Sequence, residues 1–246
     1  MAGHNKWSKI KHRKAVVDKR RGKVWTKVAK AIIVAAKNGG PDPESNLSLR
    51  YAMDEARYAN MPRDTIERAI QKGAGGAGGE NYEPVRYEGY GPGGIAIIID
   101  TLTDNRARTV GDLRLAFDRN GGNLGNSGCV AYMFQPKGRM LVNAPNASED
   151  RMMELAIEAG ADDCIRPDDP AEEPWTILCA VTAFQTVKEA IELAGKNEPI
   201  AIAEAEIAMV PNEVVEVTGP NAQPLTELID AIEDLDDIQK VYTNAG

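Results

Sequence analysis

The chain has few of the side chains on which many enzymes rely. Among 246 residues there are only two histidines and three cysteines. Both histidines, His4 and His12, lie near the N-terminus. A cysteine or serine nucleophile with a histidine base would require this end to fold over the rest of the chain. We therefore expect no enzymatic activity and no catalytic residues. Because acidic residues are abundant, a carboxylate-dependent hydrolase is left as a remote alternative.

The sequence also shows no pattern typical of a disulfide framework, a metal site or a membrane-spanning segment. Cys129, Cys164 and Cys179 are far apart and form no CxxC pair, which is typical of free thiols in a reducing compartment. The spacing of the acidic clusters does not match a calcium loop. The longest apolar runs, Ala31–Ala36 and Ile95–Ile99, are far shorter than the ~20 residues that span a bilayer. We expect a cytoplasmic protein with no metal, no cofactor and no membrane partner.

Positive charge is scarce in most of the chain and concentrated at one end. Residues 1–38, which we call the basic segment, contain twelve Lys and Arg residues and one acid, for a formal charge of +11. Residues 80–246 have twelve basic and thirty acidic residues, for a charge of −18. An acidic net charge of −8 thus conceals a strongly basic module. Such a module is typical of proteins that bind a polyanion, most often nucleic acid.

The candidate nucleic-acid contacts are the cations of the basic segment and two rings between them that can stack on an exposed base. They are Lys6, Trp7, Lys9, Lys11, His12, Arg13, Lys14, Lys19, Arg20, Arg21, Lys23, Lys27 and Lys30. A solvated tail is the alternative interpretation, but an acidic protein has little need of one for solubility.

Three short helices are predicted in the first 79 residues. The first runs from about Arg20 to Lys37, with apolar residues on one face and basic residues on the other. Ser45 is the expected cap of the second helix, and Pro62 suits the first turn of the third. Gly73 is the expected C-cap of the third helix, and the stretch GAGGAGG that it begins reads as a flexible linker.

The acidic remainder alternates strand and helix patterns. A hairpin is predicted at Val85–Thr101, followed by a helix and a strand at Val130–Phe134. Residues 139–206 have the order β-α-β-β-α-β, which is ferredoxin-like, and a short strand at Ile207–Val210, a helix and a last strand follow. We predict an α+β, multidomain protein in which a three-helix basic domain precedes two ferredoxin-like domains, the second inserted into the first. The expected domains are residues 1–79, residues 80–135 with 207–246, and residues 136–206.

Three motifs have competing interpretations. The third helix is a candidate for reading DNA bases, but it is nearly neutral, and only Arg63 and Gln71 suit that role. The stretch GGNLGNSG at 121–128 lacks the ending of a phosphate loop and reads as a tight turn. In TDNRART, Thr103 or Asp104 is the expected helix cap, which puts two arginines, Arg106 and Arg108, in a first turn that disfavours them. With Arg63, these two arginines are the additional candidate contacts.

Several blocks together resemble one family. MAGHNKWSKIKHRKAVVDKRRGK, NGGPDPESN, NMPRDTIERAIQKG, YEGYGPGG, TDNRART and GGNLG occur in this order. The chain is similar to the YebC/PmpR family, which includes the mitochondrial translational activator of cytochrome oxidase. The resemblance is dense over residues 1–135 and weaker beyond. It implies a three-domain, non-enzymatic protein, described in this family either as a DNA-binding transcriptional regulator or as a ribosome-linked translation factor.

We therefore predict a nucleic-acid-binding regulator of gene expression, of the DNA-binding transcriptional type. The alternative is a ribosome-associated translation factor whose basic segment contacts ribosomal RNA. The expected partner is DNA or ribosomal RNA, in the second case on the ribosome, and the chain itself is expected to be a monomer.

Overall fold

The structure is a computed structural model that describes residues 19–75 and 81–246, with side chains described from Gly22 onward in the first helix. Three helices are followed by two four-stranded sheets with their own helices, so the predicted α+β, multidomain fold is confirmed. The elements are α1 (Lys19–Gly39), α2 (Leu47–Tyr58), α3 (Arg63–Ala74), β1 (Glu83–Gly91), β2 (Ile95–Thr103), α4 (Arg106–Arg119), β3 (Asn123–Leu124), β4 (Phe134–Asn143), α5 (Glu149–Ala159), β5 (Asp163–Ile165), β6 (Trp175–Cys179), α6 (Phe184–Ala194), β7 (Ala201–Pro211), α7 (Ala222–Glu233) and β8 (Ile238–Thr243).

The three N-terminal helices form a bundle around one apolar core. Val28 and Ile32 of α1 are buried with Leu49 and Ala56 of α2 and with Ile66 of α3. These positions recur at helical spacing, which is why the sequence pattern identified them. Burial of this shared stripe fixes the rotation of α1 about its own axis and so decides which of its residues face away from the bundle.

Asn46, and not Ser45, caps α2. Its side-chain oxygen accepts a hydrogen bond from the backbone N–H of Leu49 at 3.0 Å. Its amide group donates to the carbonyls of Ala35 and Gly40, each at 2.8 Å. The predicted cap at Ser45 is therefore wrong. The Asn46 amide accepts one hydrogen bond and donates two, whereas the hydroxyl of a serine has a single proton and could donate to only one of the two carbonyls.

Gly73 lies inside α3 and does not end it, so the predicted C-cap is also wrong. A Cβ atom at this position would lie 2.4 Å from the carbonyl oxygen of Ile33 and 2.8 Å from the Cβ of Ala36. The glycine therefore allows α1 and α3 to approach closely. The predicted linker beyond it falls largely on residues 76–80, outside the described part of the chain.

The first sheet has the strand order β3-β1-β2-β8, and its two central strands are the predicted hairpin. The pairs β1–β2, β1–β3 and β2–β8 are all antiparallel. Helices α4 and α7 contribute to a core with Ile95, Ile97 and Ile99 of β2, three alternate residues that share one face of the sheet. This core positions the N-terminus of α4 and the C-terminus of α7.

The second sheet belongs to a separate compact unit, Gln135–Val210. Its elements follow the predicted order β-α-β-β-α-β, and its strand order is β5-β6-β4-β7. The largest fully buried side chains here are those of Trp175, Phe184, Met140 and Met152. The other compact unit consists of the described residues up to Phe134 together with Pro211–Gly246.

Two strand predictions are wrong in detail. A strand was expected at Val130–Phe134, but Ala131–Met133 is a 3-10 turn, and Phe134 is the first residue of β4. The short strand that pairs with β1 is Asn123–Leu124 instead. The strand expected at Ile207–Val210 is not separate, because it continues β7 without a break. Apolar content alone does not mark where a strand ends.

Candidate nucleic-acid interface

Helix α1 carries the described part of the basic segment. Its buried face holds Val28 and Ile32, and the indole N–H of Trp25 donates to the carbonyl of Ala59 at 3.0 Å. The bundle therefore orients α1 so that its lysines, spaced three or four residues apart, share the other face.

The predicted contacts fall into three groups in the structure. Seven lie outside the described residues: Lys6, Trp7, Lys9, Lys11, His12, Arg13 and Lys14. Three more have a described helical backbone but no described side chain: Lys19, Arg20 and Arg21. The remaining three, Lys23, Lys27 and Lys30, are described in full.

Two of these lysines reach the end of α7. The ammonium group of Lys23 lies 2.9 Å from a carboxylate oxygen of Asp234, and that of Lys27 donates to the carbonyl of Glu233 at 2.7 Å. We call the segment Glu233–Asp237 the acidic ledge. Its carbonyls lie at the negative end of the α7 dipole, where a cation is stabilised. Burial lowers the pKa of Lys27, although the nearby acidic charges oppose this effect.

Lys30 contacts the far end of the acidic ledge. Its ammonium donates to the carbonyl of Asp236 at 3.0 Å and lies 3.5 Å from a carboxylate oxygen of Asp237. It also lies 4.9 Å from the centre of the Tyr82 ring, within the range of a cation–π contact. Three predicted contact lysines thus have acidic or carbonyl partners within the protein.

Asp237 is a buried carboxylate that connects α1, α4 and β8. It accepts hydrogen bonds from Arg108 and Thr109 at 2.8 Å each, and from Thr103 at 3.2 Å. Burial raises the pKa of this carboxyl, but the bonds from Arg108 and Thr109 and the charges of Arg108 and Lys30 outweigh it, so the net pKa is lowered. The residue is therefore ionised at neutral pH. The acidic run at 233–237 was visible in the sequence, but its contacts with α1 were not.

Asn105 is the cap of α4, so the predicted cap at Thr103 or Asp104 is wrong. Its side-chain oxygen accepts from the backbone N–H of Arg108 at 3.1 Å. The hydroxyl of Thr103 instead accepts from the N–H of Asn105 at 2.9 Å. Asp104 is thereby free to pair with an arginine of the first turn.

The arginines of that turn are held in ion pairs. Arg106 binds both carboxylate oxygens of Glu83, at 2.5 and 2.7 Å. Arg108 binds Asp104 at 2.6 Å and Asp237 at 2.8 Å. These carboxylates offset the unfavourable position of two cations at a helix N-terminus. The unfavourable helix position that suggested a binding role for these arginines is thus explained by their ion pairs within the protein.

In α3, the helix considered for reading DNA bases, Arg63 and Arg68 also contact groups of their own helix. Arg63 lies 3.3 Å from a carboxylate oxygen of Glu67, one turn later, although its side chain is 91% exposed. Arg68 donates to the carbonyl of Asp64 at 3.0 Å. Within α3, therefore, Arg63 is balanced by an acid and Arg68 is held by a backbone carbonyl.

Glu88 is a buried residue to which no motif in the sequence pointed. It accepts hydrogen bonds from the backbone N–H groups of Gly128, Val130 and Ala131, at 2.7, 2.8 and 2.8 Å. Burial raises the pKa of the Glu88 carboxyl, but the three hydrogen bonds lower it by more. The net pKa is therefore below its ordinary value. Glu88 thus fixes the end of the glycine-rich stretch 121–128. The stretch is not the simple tight turn that was predicted, because it contains the short strand β3.

Reactive groups are scarce in the described part of the chain. Burial raises the pKa of Cys164 and of Cys179 to about 11 and also raises the pKa of Cys129, so the thiols are protonated at neutral pH. Within residues 19–75 and 81–246, no group of three His, Cys, Asp or Glu side chains is placed to hold a metal ion. No helix among these residues is long and apolar enough to cross a membrane.

Comparisons with known proteins cover nearly the whole chain. The sequence model of the TACO1/YebC protein N-terminal domain matches residues 5–76, and that of the TACO1/YebC second and third domain matches residues 82–245.

Curated relatives are similar over nearly their full length. A probable transcriptional regulatory protein of Burkholderia ambifaria MC40-6 is 54% identical over 245 residues, which is 100% of this chain and 98% of that protein. One of Paraburkholderia phytofirmans is 52% identical over 246 residues, with the same coverage. The crystal structure of a conserved hypothetical protein from Aquifex aeolicus aligns with a TM-score of 0.86 and 44% identity, over 98% of this chain and 96% of that one. The chain therefore belongs to the TACO1/YebC family, whose curated relatives here are named as regulators of transcription.

Proposed function

We propose that the protein is a non-enzymatic, DNA-binding regulator of transcription that holds nucleic acid through its basic segment. The observation that carries this proposal is the separation of charge, +11 in residues 1–38 against −18 in residues 80–246. Such a basic segment attracts the phosphate backbone, while the acidic remainder repels it and so restricts binding to one end of the chain. The names of the relatives support transcription as the process.

Contact with the backbone is the favoured mode. Base reading in the major groove needs Arg, Asn or Gln side chains directed at base edges. In α3, however, Arg63 pairs with Glu67, and Arg68 donates to the carbonyl of Asp64. We therefore infer that phosphate contacts provide most of the affinity, and that the helical bundle positions the basic segment on the duplex.

A second candidate is a ribosome-associated translation factor. The same near-neutral α3 favours it, because a protein that reads no base sequence is as well suited to structured RNA as to DNA. Ribosomal RNA would then meet the basic segment through its phosphates and its shape. The two candidates share one interface and differ in the nucleic acid that fills it.

The interface is tested by reversing charge in the basic segment. We expect the triple variant Lys9→Glu, Arg13→Glu, Arg20→Glu to lose measurable binding to a labelled duplex in fluorescence anisotropy. For the parent chain, neutralisation of about six phosphates predicts that log K falls with log salt with a slope of about −5.

The matched control reverses three exposed cations elsewhere. Arg114→Glu, Arg119→Glu, Lys196→Glu changes the net charge by the same amount, at residues that are exposed and outside the basic segment. The control should keep most of the parent affinity and its salt slope. Unchanged affinity in the Lys9, Arg13, Arg20 variant, or equal loss in both variants, would contradict the proposed interface.

A further inference from the structure

We propose that the acidic ledge, Glu233–Asp237, is an internal competitor that occupies the α1 lysines in place of nucleic-acid phosphate. Binding of nucleic acid at this face then requires Lys23, Lys27 and Lys30 to leave the ledge. This inference rests on the proposed function, because it concerns the regulation of the same basic surface. It extends that function by giving the protein a threshold below which weak polyanions are not bound.

The chemistry of the ledge resembles that of a phosphate backbone. The three ammonium groups contact oxygen atoms of the ledge: the carboxylates of Asp234 and Asp237, and the carbonyls of Glu233, Asp234 and Asp236. Lys30 in addition lies over the Tyr82 ring. The carbonyls close to the end of α7 have the negative end of its dipole behind them. A lysine ammonium is a compact charge with three rotatable donors, so it exchanges one set of oxygens for another without a fixed geometry.

The spacing of the three lysines also fits a nucleic-acid strand. They lie at positions i, i+4 and i+7 of α1. At 1.5 Å per residue they span about 10.5 Å of helix axis. One strand of a duplex presents a phosphate about every 3.4 Å along its axis, so this span corresponds to about three phosphates. The same row of ammonium groups can therefore face either the ledge or a strand.

The exposure of the paired side chains differs along the ledge and sets the order in which the lysines leave it. The side chains of Lys23 and Asp234 are 47% and 76% exposed, so their ion pair is weak in water. Those of Lys30 and Asp237 are 13% and 8% exposed, and Asp237 is also bound by Arg108. We therefore expect Lys23 to move to phosphate first and Lys30 last.

A cleft lies along the ledge. It has a volume of about 470 Å³ and is lined by Lys30, Tyr82 and Arg108, by Asp104 and Asp112, and by residues 234–237 of the ledge. Its acidic residues outnumber its basic ones, so the released lysines leave behind carboxylates that repel a phosphate strand. A strand is therefore expected to bind the lysines outside the cleft and not within it.

The test neutralises the exposed carboxylates of the ledge. The double variant Asp234→Asn, Asp236→Asn should bind a labelled 20-base-pair duplex about three- to tenfold more tightly than the parent chain. The control, Glu213→Gln, Glu216→Gln, removes the same charge from exposed residues of the same compact unit. It should change affinity less than about twofold. Equal gains in the two variants would overturn the competitor role, since only the net charge would then matter.

A double-mutant cycle shows whether the gain passes through the lysines. In a Lys23→Gln, Lys27→Gln background, the ledge substitutions should increase affinity no more than the control substitutions do. A full gain in that background would overturn the inference. If the parent chain binds no nucleic acid at low salt, the proposed function itself fails, and the inference fails with it.

A measurement on the parent chain needs no substitution. Hydrogen exchange at the backbone amides of 234–238 should become faster when the duplex is added, because the lysines that hold the carbonyls of this segment have left. Slower or unchanged exchange there, with binding intact, would overturn the inference and leave the contact as a structural clamp.

Discussion

Arg108 donates a hydrogen bond to Asp237 at 2.8 Å, although the two residues are 129 positions apart in the chain. The bond joins the first turn of α4 to the acidic ledge just before β8. Thr109 donates to the same carboxylate oxygen at 2.8 Å, and the side chain of Asp237 is only 8% exposed. A buried charge of this kind is favourable only while its partners are in place.

Replacement of Asp237 by Asn should therefore destabilise the protein. The amide removes the negative charge that holds Arg108. It also puts an NH2 group, which can only donate, close to groups that themselves donate. The expected loss is about 2 kcal/mol in the free energy of unfolding. Urea denaturation followed by circular dichroism measures this loss. Asp236→Asn is the control at an exposed neighbour and should change stability by less than about 0.5 kcal/mol. Equal effects would show that the buried network contributes little.

Glu88 predicts how stability depends on pH. Its pKa in the folded protein is below the ordinary value of 4.5, so its contribution is fully present above that value. The contribution is lost as the pH falls through the folded pKa. At pH 7, Glu88→Gln should cost about 2 kcal/mol, because the carboxylate accepts three backbone hydrogen bonds and the amide can replace it only in part.

The difference in unfolding free energy between the parent chain and Glu88→Gln should shrink as the pH falls below about 4.5, when the parent carboxylate also loses its charge. Denaturation curves at neutral pH and at several acidic pH values measure it. A difference that stays constant with pH would show that the cost comes from packing and not from the charge.

Gly73 and Gly111 give opposite predictions for the same substitution. Gly73→Ala should destabilise the bundle by about 1–3 kcal/mol, because the new methyl would lie 2.4 Å from the Ile33 carbonyl and force α1 and α3 apart. A Cβ at Gly111, inside α4, meets no atom within 4 Å. Gly111→Ala should therefore stabilise the protein by about 0.5–1 kcal/mol through helix propensity. Thermal denaturation compares the two, and stabilisation by both would contradict the close helix approach.

Patterns within single segments predicted much of the fold. The helices, the central hairpin and the order of elements in 139–206 follow from hydrophobic period and turn residues, and the structure confirms them. The helix caps were wrong, because Ser45 and Asn46 are both good caps and only their surroundings decide between them. The strand expected at Val130–Phe134 was wrong because a short apolar run also suits a turn: Val130 and Phe134 are buried at its two ends, whereas Tyr132 between them is 73% exposed. The domain boundaries drawn from the sequence stay a prediction.

The candidate site was predictable only in part. The basic segment is evident from charge alone, and its role in binding stays a prediction. The contacts of Lys23, Lys27 and Lys30 with the ledge were not predictable, since they join residues more than 200 positions apart. Opposite charges in one sequence do not reveal which of many carboxylates a lysine will meet. The acidic run EDLDD, which overlaps the end of the helix predicted at Pro224–Leu235, was the one available signal.

The measurement that tests the proposed function most directly is sedimentation of a gentle lysate through a sucrose gradient, with and without DNase or RNase. A transcriptional regulator held on DNA should sediment with chromosomal fragments, move to the top of the gradient after DNase, and be unaffected by RNase. The variant with Lys9, Arg13 and Arg20 reversed to Glu should stay at the top throughout. Comigration with ribosomal particles that RNase abolishes and DNase does not would contradict the DNA-binding role and establish the ribosome as the partner.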